Sequence, residues 1–434
     1  MLSASGPART PRVLFISVVA AVILLLALFS FSESFSSRAV DYAHKAKEYW
    51  KQASSTSVYN CEDPYRRPGY LYIDPEDYKN TRWIPYTDDF LDADVPSYAE
   101  YPRLDGGDLF FNRTAVDADV LDSTSNPRQW MQLAVAEDQR RLAAVTVEKG
   151  KQKAEDFVDM KDDGDLGWLW GRRVLIFGDS VDRFMMQFFC EEFGRPLRQP
   201  APHTTATCSI PTLNLTFTHW HHAGSWTNRP EWWWMKDMKE IPFEERWDKF
   251  WAPTLDKTVR GPTGQPDLLL WQSGLWEQRA MWESAEAHHD ADHPMAQRER
   301  QLVWQEIRFV AARMKKFIQR VDEEFPGVPT MFRTLTIHRN SNATDANIYE
   351  LDRISRALAE QAGHEVFEWG RILTAFSMLY KDKTHTGKGP GSWLWGNMVL
   401  EYLARSAGIQ DEARSPYFDG WDACHSHLAT WGGR

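Results

Sequence analysis

The stretch VLIFGDSVDRF, residues 174–184, decides the fold expected for this 434-residue chain. Four apolar residues lead into Gly178-Asp179-Ser180, and the residues that follow have an apolar face at helical spacing. The pattern predicts a buried strand, a tight turn and a helix, with Ser180 near the helix N-terminus, where backbone N–H groups favour a developing oxyanion. An ordinary N-cap serine explains the same letters. A nucleophilic serine therefore requires a base elsewhere in the chain.

The rest of the chain alternates short apolar runs with segments of helical period. We predict strands at 173–177, 215–220, 267–271, 330–337 and 365–369, and helices at 127–153, 181–193, 297–324, 348–362 and 393–406. Strands that alternate with helices predict a three-layer α/β domain with a parallel sheet covered on both faces. Functional groups of such sheets collect at the carboxyl ends of strands, which is where Ser180 stands.

The segment Asp382-Lys-Thr-His385 supplies a candidate base for Ser180 and a carboxylate partner for that base. It follows the last predicted strand and precedes the last predicted helix. A separation of three residues lets the carboxylate accept the imidazole N–H while the other ring nitrogen faces Ser180. The motif alone is frequent by chance, but its combination with the serine predicts Ser180 as nucleophile, His385 as base and Asp382 as the orienting carboxylate.

These two motifs together resemble the SGNH/GDSL superfamily, and within it the PC-esterase branch of plant trichome-birefringence-like and fungal capsule O-acetyltransferases. The resemblance covers residues 168–407. It implies an SGNH-like, flavodoxin-like fold and a serine that carries an acyl group, acetyl in that branch, to hydroxyls of a glycan or a wall or capsule polysaccharide. It implies no bound cofactor and no metal, and a donor such as acetyl-CoA or another acetyl ester.

The same resemblance points to residues around the reacting centre. The family pattern Asn-x-Gly plus an aromatic residue corresponds here to QSGLW, in which Gln272 keeps an amide donor on a longer arm. Backbone N–H groups of Ser180 and Gly274 are further oxyanion donors. Arg183 matches an arginine of the plant branch and is expected to make a structural or substrate-carboxylate contact. The oxyanion and substrate candidates are Gly224, Gln272, Gly274, Trp276 and Arg183.

The N-terminus predicts a membrane anchor. Residues 13–31 carry no charge, are long enough to span a bilayer, and follow Arg9 and Arg12. We expect a cytosolic tail (1–12), an anchor (13–31), a stem (32–60), an irregular N-terminal lobe (61–165) and a catalytic domain with a C-terminal extension (166–434). This is a type II protein of the Golgi or another secretory membrane, with a cleaved signal peptide as the alternative. One span cannot carry a donor across the membrane, so the donor has to come from elsewhere, for example through a transporter.

Cysteines and sequons agree with a lumenal domain. Four cysteines allow three pairings, of which we favour Cys190 with Cys208 and Cys61 with Cys424. Sequons place candidate N-glycans on Asn112, Asn214 and Asn342.

The composition limits the classes of molecule that the protein is expected to bind. A net charge of −11 argues against nucleic acid, and 21 tryptophans suit either a sugar-binding cleft or core packing. The histidines of FTHWHHAG are expected to line an acceptor cleft, and those of AHHDADHP to be solvated. Three alternative functions stay open: a carbohydrate esterase with the same triad, a glycosyltransferase that uses one of three Asp-x-Asp segments (92–94, 117–119, 163–165), and a non-catalytic glycan-binding protein.

Overall fold

The computed structural model describes residues 63–86, 118–123, 126–146, 148, 151–225, 240–297, 300–337 and 342–407. Its strands are β1 (Gly69–Tyr72), β2 (Arg82–Pro85), β3 (Arg173–Gly178), β4 (Thr205–Ile210), β5 (Leu215–His221), β6 (Leu268–Trp271), β7 (Thr330–Arg333) and β8 (Glu365–Phe367). Its α-helices are α1 (Ala118–Leu121), α2 (Trp130–Ala144), α3 (Ser180–Glu192), α4 (Phe243–Arg246), α5 (Leu275–His288), α6 (Trp304–Glu324), α7 (Asn342–Ala362), α8 (Trp369–Leu373) and α9 (Pro390–Ser406). Short 3₁₀ and π turns connect several of them. Within the described ranges, no helix is both long and apolar enough to cross a membrane; the predicted tail, anchor and stem lie outside those ranges.

Six strands form the main sheet, in the order β4-β5-β3-β6-β7-β8. All five predicted strands are present and run parallel to one another, but β7 and β8 are shorter than predicted. The sheet is mixed rather than wholly parallel, because β4 joins the edge antiparallel to β5. A turn of four residues links β4 to β5, and only an antiparallel pair permits so short a connection.

Helices cover both faces of this sheet. On one face Phe177 of β3 contacts Trp220, Trp251 and Phe317. On the other, Phe217 of β5 contacts Phe189 of α3 and Trp395 of α9. The predicted α/β architecture is therefore present, with aromatic side chains filling the space between sheet and helices.

The strand order places a switch point at β3. In the sheet, β5 lies on one side of β3, whereas β6, β7 and β8 lie on its other side. Loops that leave the carboxyl ends of β3 and its neighbours therefore diverge and open a crevice there. Ser180 begins α3 at this point.

The N-terminal part of the described chain packs on the last helix. The backbone N–H of Met131 donates to the Asn397 side chain at 2.9 Å, and the Trp130 indole donates to Glu401 at 2.7 Å. Helix α2 is shorter than the predicted 127–153 segment at both ends. These buried hydrogen bonds fix α2 against α9, which in turn covers the sheet behind α3.

Candidate active site

The turn that holds Ser180 is tightly packed. The Asp179 carboxylate accepts the Val181 N–H at 2.7 Å and so caps α3 at its first turn. A Cβ atom on Gly178 would lie 2.3 Å from the Asp182 carboxylate, which leaves no room for a side chain. Ser180 is thus the first residue of the helix, directly after the Asp179 cap, at the positive end of the helix dipole.

A second turn, at residues 380–386, holds His385. Backbone pairing between Tyr380 and Thr386 closes the turn. One Asp382 carboxylate oxygen accepts the N–H groups of Thr384 and His385, both at 2.8 Å. Partial burial acts to raise the pKa of Asp382, but these backbone hydrogen bonds and the imidazole outweigh it and lower that pKa. Asp382 therefore stays ionised beside His385.

The two turns meet through their side chains. Ser180 Oγ lies 2.7 Å from His385 Nε2, and His385 Nδ1 lies 2.9 Å from Asp382 Oδ2. Because a carboxylate only accepts, His385 donates its Nδ1–H to Asp382, and Nε2 is left to accept the serine hydroxyl proton. These are the contacts that a Ser-His-Asp triad requires, made by residues 205 positions apart in the chain.

A buried ion pair supports the nucleophile turn, and the sequence analysis missed it. Arg333, at the end of β7, donates to both carboxylate oxygens of Asp182 at 2.7 and 2.8 Å, and both side chains are 1% exposed. Burial raises the pKa of Asp179, the Asp182 charge raises it further, and Arg333 acts in the opposite direction. Arg333 therefore pairs with one of two neighbouring carboxylates next to Ser180 and offsets part of the charge of the other.

The oxyanion candidates Gly224 and Gln272 both lie near this turn. The His222 N–H donates to the Gly178 carbonyl at 2.8 Å, and Gly224 follows two residues later with φ of +91°, a conformation that favours glycine. The Gln272 N–H donates to the Phe177 carbonyl at 3.0 Å. The Gln272 side chain is buried and its amide acts on the Asp179 carboxyl, whose pKa it lowers.

Gly274 and Trp276 lie at the start of α5. Gly274 packs so closely on Leu335 that a Cβ would lie 2.2 Å from a leucine methyl carbon. Trp276 is partly buried and meets the rings of His203 and His221 edge-on, with centroids 6.2 and 5.9 Å apart. Gly274 is therefore required by packing, and Trp276 borders the histidine that precedes β4 and the one that ends β5.

The histidines of FTHWHHAG do not line an open cleft, contrary to the prediction. His219, His221 and His222 are at most 2% exposed. Burial lowers the pKa of His219 to about 4 and that of His222 to about 3, so both are neutral. His222 instead joins a buried chain with Ser273 and Glu277, the last of which also accepts the Ser225 N–H.

The remaining predicted sites have mixed outcomes. Cys190 and Cys208 form a disulfide between α3 and β4, as predicted; Cys61, Cys424 and Asn112 lie outside the described residues. Asn214 accepts a hydrogen bond from Arg173 at 3.3 Å and Asn342 begins α7, and their glycosylation stays a prediction.

In the Asp-x-Asp segment 163–165, Asp163 pairs with Arg140 at 2.8 Å. Within the described ranges no group of three or more His, Cys, Asp or Glu side chains is arranged to bind a metal.

Comparison with known proteins gives a distant likeness only. No protein-family model and no curated protein matches this sequence. Similar solved structures include an acetylxylan esterase from Geobacillus stearothermophilus, with 10% identity and a TM-score of 0.31 over 56% of this chain and 96% of that one. Others are a GDSL-like lipase from Parabacteroides merdae (12%, TM-score 0.32, 56% and 97%) and a lipase/acylhydrolase from Enterococcus faecalis (12%, TM-score 0.30, 54% and 95%). The function proposed below rests on this chain's own residues.

Proposed function

We propose that this protein is a serine-dependent acyltransferase that moves an acyl group, acetyl by its resemblance to the PC-esterase branch of the SGNH/GDSL superfamily, to a glycan hydroxyl. One observation carries the proposal: Ser180 Oγ lies 2.7 Å from His385 Nε2, and the same imidazole is held by Asp382 at 2.9 Å. A serine hydroxyl becomes a nucleophile only when a base removes its proton, and this geometry provides the base in the required tautomer.

The steps follow from these contacts. His385 takes the Ser180 proton as Oγ attacks the acyl carbonyl of the donor, and the oxyanion forms at the N-terminus of α3, where the Ser180 backbone N–H has no partner within the helix. The imidazolium, stabilised by Asp382, then returns the proton to the leaving group. In the second half His385 deprotonates the acceptor hydroxyl as it attacks the acyl-serine, and the imidazolium then returns that proton to Oγ as free Ser180 leaves. Atoms balance without a bound cofactor.

The surroundings of the reaction are proposed on sequence grounds. The uncharged run at 13–31, the sequons and the Cys190–Cys208 disulfide support a type II protein with its catalytic domain in an oxidising lumen, as in the Golgi. The donor is then an acetyl ester or acetyl-CoA supplied by another protein, and the acceptor is a glycan or polysaccharide.

Labelling with a fluorophosphonate tests the nucleophile. The full-length protein should be modified at Ser180, whereas the Ser180→Ala and His385→Ala variants should lose labelling. Ser377→Ala, which removes an exposed serine close in sequence to the base, is the matched control and should label like the wild type. Labelling that survives in Ser180→Ala, or acyl transfer that does so, would refute the triad.

Hydrolysis is a second candidate, favoured by the exposure of the site. The side chains of His385 and Asp382 are 21% and 50% exposed, so water can reach the base as readily as a sugar hydroxyl. The same acyl-enzyme would then release acetate. Incubation with an acetyl donor and acceptor oligosaccharides separates the two outcomes, because a transferase yields acetylated oligosaccharide and an esterase yields free acetate from acetylated oligosaccharide.

A further inference from the structure

Two cations lie beside the triad on a single aromatic ring. Arg183 is one helical turn after Ser180, and its guanidinium carbon lies 4.3 Å from the centre of the Phe184 ring. Lys381 precedes Asp382, and its ammonium lies 3.2 Å from the same centre. The His385 imidazole meets that ring edge-on, with centroids 5.0 Å apart. Arg183 and Lys381 are therefore both neighbours of the base that activates Ser180.

Neither cation has an acidic partner within the part of the chain that the structure describes. No carboxylate lies within 4.0 Å of either charged group, and neither side chain donates a hydrogen bond to a described residue. Lys388, in the same loop, differs: its ammonium is 3.4 Å from both Glu191 and Glu192. A guanidinium has five donors, and leaving them without acceptors in a half-buried position is costly.

The electrostatics of the two cations favour an anion next to them. Burial lowers the pKa of Arg183, and the Asp179 charge acts against this shift. Burial also lowers the pKa of Lys381, the charge of Asp382 acts against this shift, and the Arg183 charge adds to it, with Glu191 again acting in the opposite direction. Two like charges on one aromatic ring beside a reacting centre repel each other. An anion that contacts both would reduce that repulsion and supply acceptors for the guanidinium.

We propose that Arg183 and Lys381 form an anion-binding subsite beside Ser180, which receives a carboxylate or phosphate group of the substrate. The inference rests on the proposed function, since it assigns a substrate class to the same site. Two sources carry such a group: an acidic sugar, such as a hexuronate of the acceptor glycan, and a phosphate-bearing acyl donor. Arginine binds both groups with two parallel hydrogen bonds, and lysine adds a point charge.

Direct binding tests the subsite without requiring catalysis. Isothermal titration calorimetry of the full-length protein would compare a hexuronate oligosaccharide with its methyl ester, which differs only in charge, and acetyl-CoA with its dephosphorylated, neutral acetyl-pantetheine fragment. We expect the anion of at least one pair to bind about tenfold more tightly or better, as charge-assisted hydrogen bonds predict. The preferred pair identifies whether glycan or donor carries the anion.

Variants assign the preference to the two cations. Arg183→Gln and Lys381→Gln should each reduce the ratio of affinities within the preferred pair, whereas the matched control Lys388→Gln, in the same loop but already paired, should keep it. Equal affinities in both pairs, or a preference that survives the double variant, would overturn the proposal and leave the two cations as packing for Phe184. Fluorophosphonate labelling of Ser180 is measured in parallel, so a failure of the triad and a failure of the subsite give different results.

Discussion

Replacing Arg333 by methionine should destabilise the protein strongly. The change removes both hydrogen bonds to Asp182, at 2.7 and 2.8 Å, and leaves that carboxylate 1% exposed with no counter-charge. It also leaves Asp182 next to Asp179, whose pKa is already raised by burial and by the Asp182 charge. Breaking a buried pair by removing one partner costs about 3–5 kcal/mol, because an uncompensated charge remains inside the protein.

A double-mutant cycle separates the ion pair from the lost packing of the arginine chain. Asp182→Asn keeps the shape of the side chain and removes its charge, so the double variant no longer contains the unpaired Asp182 charge. We expect it to recover about 2 kcal/mol of the loss seen in Arg333→Met, within the range of directly contacting pairs. Urea unfolding, followed by tryptophan fluorescence, gives the free energies of unfolding.

An exposed ion pair provides a reference for the free energy lost when one partner of an ion pair is removed. Lys151 and Glu148 form an ion pair whose side chains are 70% and 71% exposed, and Lys151→Met should cost less than about 1 kcal/mol. If Arg333→Met costs no more than Lys151→Met, or if the double variant is no more stable than the single one, the role assigned to the buried pair is refuted. Ser180 labelling should also slow in Arg333→Met under folding conditions, because the pair holds the nucleophile turn.

Three further predictions concern the same region. Burial raises the pKa of Glu277, so the folded protein retains a proton that the unfolded chain releases above its ordinary pKa of about 4.3. The free energy of unfolding should therefore fall as pH rises between the unfolded and the folded pKa of this group. Urea unfolding at several pH values should show this slope in the wild type and lose it in Glu277→Gln. An unchanged slope would contradict this. Gly178→Ala forces a Cβ against the Asp182 carboxylate and should cost about 1–3 kcal/mol with slower Ser180 labelling, whereas full stability would show that the turn can relax. Cys190→Ala with Cys208→Ala removes a bridge across 18 positions and should cost about 3 kcal/mol, a loss that reductant should reproduce in the wild type only.

The sequence predicts the triad because each half of it is local. Ser180 depends on an apolar strand, a glycine and an amphipathic helix, all within one short stretch. Asp382 and His385 depend on a turn of seven residues closed by its own backbone. Pairing these halves needed only the rule that strand carboxyl ends share one edge of a parallel sheet.

Long-range features are less visible in the sequence. In the sequence, Arg333 is only a polar residue of a strand. It contacts Asp182, 151 positions earlier in the chain, because β3, β6 and β7 are neighbours in the sheet. The histidines at the end of β5 and directly after it have the spacing of cleft residues, yet they are buried, and Trp251 and Phe317 of α6 cover His222. Strand β4 does leave a local signal, since Ala206, Cys208 and Ile210 alternate as buried residues, but its direction follows from pairing with β5.

The two halves of the candidate site differ in how they are supported, and this has a consequence for variants. The nucleophile turn is held by Asp179, Asp182 and Arg333, all at most 1% exposed, so a change there alters packing and charge inside the sheet. The base turn lies nearer the surface: Tyr380 and Thr386 pair through their backbones, and the half-exposed Asp382 side chain accepts the N–H groups of Thr384 and His385. Since exposed groups contribute little to folding, substitution of His385 should abolish activity while the free energy of unfolding changes little, and substitution of Asp382 should in addition loosen the base turn. Substitutions of the residues around Ser180, but not of its hydroxyl, should lower activity and the free energy of unfolding together. Measuring both quantities for each variant therefore separates the residues that react from those that position them.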